Sequence, residues 1–142
     1  MRTIIWAVIF FTGIPVAAIA QLQKTSVQVP RNVKRSFQQN YPGVKAGWER
    51  EGAGYEASFI ADGKKTSVVY NKDGRPEATE VHIPVTGLPK PVIQYITAKR
   101  LGRIQEANKI TKADGGICYE AVIKGQDYLF DRKGAFLGIE KD

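Results

Sequence analysis

Gly54-Tyr55-Glu56-Ala57 returns later in the chain as Cys118-Tyr119-Glu120-Ala121, and each copy stands in the same order of signals. Before the first lies Val29-Pro30 and a helical run ending at Tyr41-Pro42-Gly43; after it comes Tyr70-Asn71-Lys72-Asp73-Gly74. Before the second lies Leu88-Pro89 and a run ending at Leu101-Gly102; after it comes Phe130-Asp131-Arg132-Lys133-Gly134. A unit that recurs in this way has to fold by the same local rules each time. Residues shared by the copies are therefore expected to build the scaffold, and residues that differ are free for function.

Each copy changes its hydrophobic period from helical to extended. Val33, Phe37 and Tyr41 recur at i, i+4 and i+8 opposite Arg31, Lys34, Arg35 and Gln38, which predicts an amphipathic helix. Pro30 suits its first turn and Pro42-Gly43 stops it. Pro89, Val92, Ile96 and Gly102 repeat the pattern. Tyr55, Ala57 and Phe59 then alternate with Glu56, Ser58 and Ile60, the mark of a strand with one buried face, and Tyr119, Ala121 and Ile123 do the same. Asp62-Gly63, Asp73-Gly74 and Lys133-Gly134 read as turns. Lys45 to Glu51 supplies a strand before the quoted motif, and Glu77 to Ile83 and Ala135 to Glu140 supply a last strand each. Gly43 and Tyr55 are 12 positions apart but Gly102 and Tyr119 are 17, which predicts a longer loop near Thr111 to Ile117. The expected class is α+β, with two tandem repeats of a helix on a four-stranded antiparallel sheet. Whether the two sheets join is left open.

The N-terminus reads as a targeting segment. Arg2 is followed by an almost continuous apolar run from Ile4 to Phe11, Pro15 breaks it, and Ala18-Ile19-Ala20 predicts cleavage before Gln21. The run is shorter than the ~20 residues a spanning helix needs. No cysteine near the cleavage point calls for a lipid anchor. The mature chain is expected to hold no integral membrane segment and to be periplasmic or secreted. Losing Arg2 takes the net charge from +7 to +6. Export sets aside nucleic acid as a partner and leaves an envelope protein or an acidic envelope polymer. A single cysteine allows no internal disulfide.

The motifs Val-Pro-x-x-Val-x-x-x-Phe-x-x-x-Tyr-Pro-Gly, Trp48-Glu49, Gly-x-Tyr-Glu-Ala and Asp-Gly resemble those of the PepSY-like proteins of bacterial envelopes. The resemblance spans 29–142 and is stronger in the first copy; the second has Arg100-Leu101 where the first has Tyr41-Pro42, and no tryptophan. It implies a fold like that of the β-lactamase inhibitor protein, with a concave sheet surface, and brings no catalytic residues. The domain plan is a signal peptide at 1–20, a flexible leader at 21–28, one PepSY-like repeat at 29–83, a joint at 84–87 and a second repeat at 88–142.

No set of side chains spells out a reaction. His82, the one histidine, shares a strand face with Glu80 but lacks the further ligands of a metal site and a nucleophile to serve. Cys118 replaces Gly54 and is expected on the outer sheet face, as a partly buried side chain or an intermolecular disulfide. Trp48 is read as core; facing outward with Arg50 it would be a recognition anchor. Asn71 and Asp73-Gly74 form a turn rather than a calcium loop, because no bidentate glutamate follows. No catalytic, cofactor or metal residues are assigned. The expected interaction surface is Trp48, Arg50, His82, Lys112, Asp114 and Cys118. The expected function is a non-enzymatic exported binding module, in its narrower form an inhibitor or regulator of an envelope peptidase or hydrolase. The alternatives are a structural or stress-related envelope protein that binds acidic polymers or lipid head groups, and a cystatin-type inhibitor. For the last, Val85 and Gly87 fit the Gln-x-Val-x-Gly loop but Ile83 stands at its glutamine.

Overall fold

The computed structural model describes residues 27–140. The signal peptide and most of the leader expected from the sequence lie outside the described residues. Helix α1 (Arg31–Asn40) is followed by β1 (Gly47–Glu51), β2 (Gly54–Ala61), β3 (Lys64–Tyr70) and β4 (Pro76–His82). A 3-10 turn at Val85–Gly87 leads to α2 (Lys90–Ala98), β5 (Glu106–Lys112), β6 (Ile117–Ile123), β7 (Gln126–Asp131) and β8 (Phe136–Glu140). The strands form one eight-stranded antiparallel sheet in chain order. The two sets of four are joined by a ladder between β4 and β5, from Ala78↔Lys112 to His82↔Asn108.

The period-two alternation decides which side each residue takes. Tyr55, Ala57, Phe59, Val68 and Tyr70 point toward Val33 and Phe37 of α1 and form one core. Ala107, Ala121, Ile123, Tyr128 and Phe130 do the same under Val92 and Ile96 of α2. The register carries both sets onto the same side, so both helices cover one face and leave the other open. Phe37 is the hub of the first core, with ring centroids 5.1 Å from Phe59, 5.3 Å from Tyr41 and 5.5 Å from Trp48.

Matching turns hold the two halves to their helices. Asn71 Oδ1 accepts from the N–H groups of Asp73 and Arg75, and Asp131 Oδ1 accepts from those of Lys133 and Ala135. The glycine of each turn has a positive φ, 82° at Gly74 and 85° at Gly134. A Cβ on Gly74 would sit 3.0 Å from the Asn32 carbonyl oxygen, and one on Gly134 would sit 3.0 Å from Pro91 Cβ. Each hairpin is thus pressed beneath the start of a helix, where only glycine fits.

The longer loop expected near Thr111 to Ile117 is the β5–β6 connection, four residues (113–116) against two (52–53) between β1 and β2. Thr111 and Ile117 are register partners, and Lys112 N–H donates to the Gly116 carbonyl across a tight turn. The five extra residues lengthen the β5–β6 hairpin, because β5 must reach along β4 to make the seam.

Candidate functional site

On the open face, at the seam between the two halves, lies a cavity of about 330 Å³. Its walls come from β2 through β6: Glu56, Ser58 and Ile60; Lys65 and Ser67; Glu80 and His82; Glu106 and Asn108; Glu120 and Val122. These residues meet because alternation aims each outward and the register stacks Ser58, Ser67 and Glu80 in one row and His82, Asn108 and Glu120 in the next.

The second row is hydrogen-bonded across three strands. Asn108 Nδ2 donates to Glu120 Oε1 at 2.8 Å. His82 Nδ1 lies 3.3 Å from Asn108 Oδ1 and 3.4 Å from Glu106 Oε1. Both neighbours are acceptors in this arrangement, so Nδ1 carries the hydrogen. The His82 side chain is 41% exposed and that of Glu106 28% exposed, so this end of the row is open to water. Glu120, at 1% exposure, is its buried end, and Oε2 has no hydrogen-bond partner.

Burial sets the charge behaviour of the carboxyls. It raises Glu56 above the usual carboxylate range, against hydrogen bonds from Ser67 and Ser58 that favour the ionised form. Burial pushes Glu80 well up, and the charges of Glu120, Glu56, Glu106 and Asp127 push it further. Glu120 is pushed to about 7 by burial, with the Asn108 hydrogen bond opposing and Glu140, Glu106 and Glu56 adding repulsion. Burial and mutual repulsion thus favour the protonated forms of Glu56, Glu80 and Glu120 relative to free carboxyls. Ser58 Oγ donates to Glu56 at 3.2 Å and has no hydrogen bond to His82. Among the described residues, no three His, Cys, Asp or Glu side chains gather closely enough to hold a metal ion.

The six surface residues drawn from the sequence separate onto two sides. His82 lines the cavity. Cys118 and Lys112 share its face by alternation from Glu120 and Asn108, beyond the cavity wall; Cys118 is a free, partly buried thiol. Asp114 closes the β5–β6 turn by accepting from Gly116 N–H at 2.8 Å. Trp48 packs under α1 against Phe37 and Tyr70, and Arg50 on the same side lies 4.8 Å from the centre of the Tyr55 ring. These two do not meet His82. Glu56, Glu106, Asn108 and Glu120 escaped the sequence reading. The available signal was that Glu56 and Glu120 hold the same place in the two copies, yet shared positions had been assigned to the scaffold.

Comparison with solved structures matches this arrangement of helices and sheet. A protein of Bacteroides eggerthii DSM 20697 described as periplasmic superposes with a TM-score of 0.67 at 19% identity, over 80% of this chain and 88% of that one. A BLIP-like protein of Bacteroides fragilis NCTC 9343 gives 0.62 at 17% identity, over 80% and 86%. The fold is BLIP-like. A DUF2874 family protein of Bacteroides uniformis ATCC 8492 shares it, with a TM-score of 0.65 at 16% identity over 79% and 88%. No family model and no curated protein matches the chain. At these identities the BLIP-like likeness concerns the fold alone, and the PepSY-like resemblance of the motifs gains no support from it. Among the described residues, no helix is long and apolar enough to cross a membrane.

Proposed function

We propose that the chain is an exported, non-enzymatic binding module that takes its ligand on the open face of the sheet, in the cavity over the β4–β5 seam. The observation that carries this reading is Glu120, buried to 1% exposure in the cavity wall with one carboxylate oxygen unpartnered. A buried carboxylate in that state costs stability, and such costs persist where a partner removes them. Export is supported by the targeting pattern of residues 1–20 and by the periplasmic description of one fold neighbour. The PepSY-like motifs and the matching turns at 71–75 and 131–135 support reading the halves as tandem units of one duplicated module. Inhibition or regulation of an envelope peptidase or hydrolase is the narrower form, in keeping with the BLIP-like neighbour. An acidic envelope polymer, the other partner class, is repelled by this cavity.

Site-specific photo-crosslinking in the native envelope tests the reading. Ile60, 60% exposed at the cavity rim, and Lys34, exposed on α1, each receive a photoreactive side chain in turn. Adducts from Ile60 and none from Lys34 are expected. Adducts from Lys34 alone, or from neither, overturn it.

A further inference from the structure

Resting on that reading of the open face, we infer that the cavity receives one organic cation, an alkylammonium or guanidinium head on an apolar stem. Four of the chain's 14 acidic residues, Glu56, Glu80, Glu106 and Glu120, line a single cavity in a protein carrying 21 lysines and arginines. Among the described residues no lysine or arginine pairs with any of the four; His82 Nδ1 lies 3.4 Å from Glu106 Oε1 at the exposed end. Lys65 stands exposed at the mouth of the same cavity, so the carboxyls left without a cation beside them are the buried ones.

The buried end of the cluster is shaped for a donor. Glu120 uses Oε1 on Asn108 and leaves Oε2, nine-tenths buried and more, without a partner in the cavity wall. An ammonium has three donors and a guanidinium five, so either can donate to Glu120 Oε2 and keep donors for water or a second acceptor. A bare metal ion fits less well, since no three ligating side chains among the described residues gather around one point. A volume of about 330 Å³ also exceeds what one ion fills. Val122 and Ile60 offer an apolar wall for the stem. Lys65, exposed at the mouth, repels a second positive group on the same ligand. The ligand is therefore a monocation near the cavity, from a free amine or from a lysine or arginine side chain of a protein.

The test is an NMR titration of the full mature chain at pH 8, following amides of β4, β5 and β6. The probes are pentylammonium, a capped Gly-Lys-Gly peptide, and the neutral counterparts pentanol and capped Gly-norleucine-Gly. Each cation is expected to bind at least about tenfold more tightly than its neutral counterpart. Glu80→Gln and Glu120→Gln are each expected to weaken cation binding by about tenfold or more. Both remove a buried charge, so thermal unfolding at pH 8 should show them folded. Stronger binding by the peptide assigns the cation to a protein partner, and stronger binding by the free amine assigns it to a small molecule. Equal binding of cation and neutral counterpart, or unchanged binding in both folded variants, overturns the inference. Ile60 crosslinks that persist in that event leave the open-face reading standing; their absence removes both.

Discussion

At Glu120 the direction of the pH effect follows from burial. Its folded-state pKa is raised from 4.5 to about 7, so the folded chain holds a proton that the unfolded chain has released. Its contribution to stability is therefore fully present below 4.5 and is lost as pH rises through about 7. Glu80, shifted in the same direction, adds to this slope. Chemical denaturation should show Glu120→Gln more stable than wild type by on the order of 2–3 kcal/mol at pH 8, and nearly equal at pH 4. A gain of the same size at both pH values would mean that the carboxyl is not the group responsible. Asn108 is the counterpart case. It is 4% exposed and donates to Glu120 Oε1. Asn108→Ala leaves that oxygen unpaired and should cost about 1–3 kcal/mol at pH 8, measured in the same way.

Among the elements, the helices and hairpins are held by a few contacts that can be removed singly. Phe37 fills the space between α1 and β2 at 1% exposure, and Phe37→Ala should cost about 3–5 kcal/mol in a denaturant titration. Gly74 and Gly63 separate two effects of a glycine turn. Both have positive φ, but a Cβ on Gly63 meets nothing within 4 Å, whereas one on Gly74 meets the backbone of Asn32 at 3.0 Å. Gly63→Ala should cost about 1 kcal/mol from conformation alone, and Gly74→Ala clearly more, because the hairpin must also move off α1. These elements were legible in the sequence because their signals are local. Val33 and Phe37 sit one helical turn apart, Tyr55, Ala57 and Phe59 alternate, and Asp73-Gly74 lies at a turn. The cavity was not legible in the same way. Glu56, Glu80, Glu106 and Glu120 come from four strands, and nothing local states that β4 pairs with β5 in the register that gathers them.

For the whole molecule, the order of the sheet ranks local stability. β4 and β5 are central, each paired on both sides, while β1 and β8 are edges. Hydrogen exchange should find the slowest amides in β4 and β5 and faster ones in β1 and β8. Faster exchange at the seam than at the edges would show that the two halves open independently. The β8 edge also carries Leu137 at 57% and Ile139 at 42% exposure, an apolar margin of the kind that invites edge-to-edge pairing.

The place of the cavity has a consequence for counting. Although Glu56 and Glu120 occupy like positions in the two halves, both look into the same depression, because the depression exists only where one half meets the other. A ligand taken there, as proposed, would bind one to a chain. The proposal therefore predicts a hyperbolic titration with a stoichiometry of one and no cooperativity between halves.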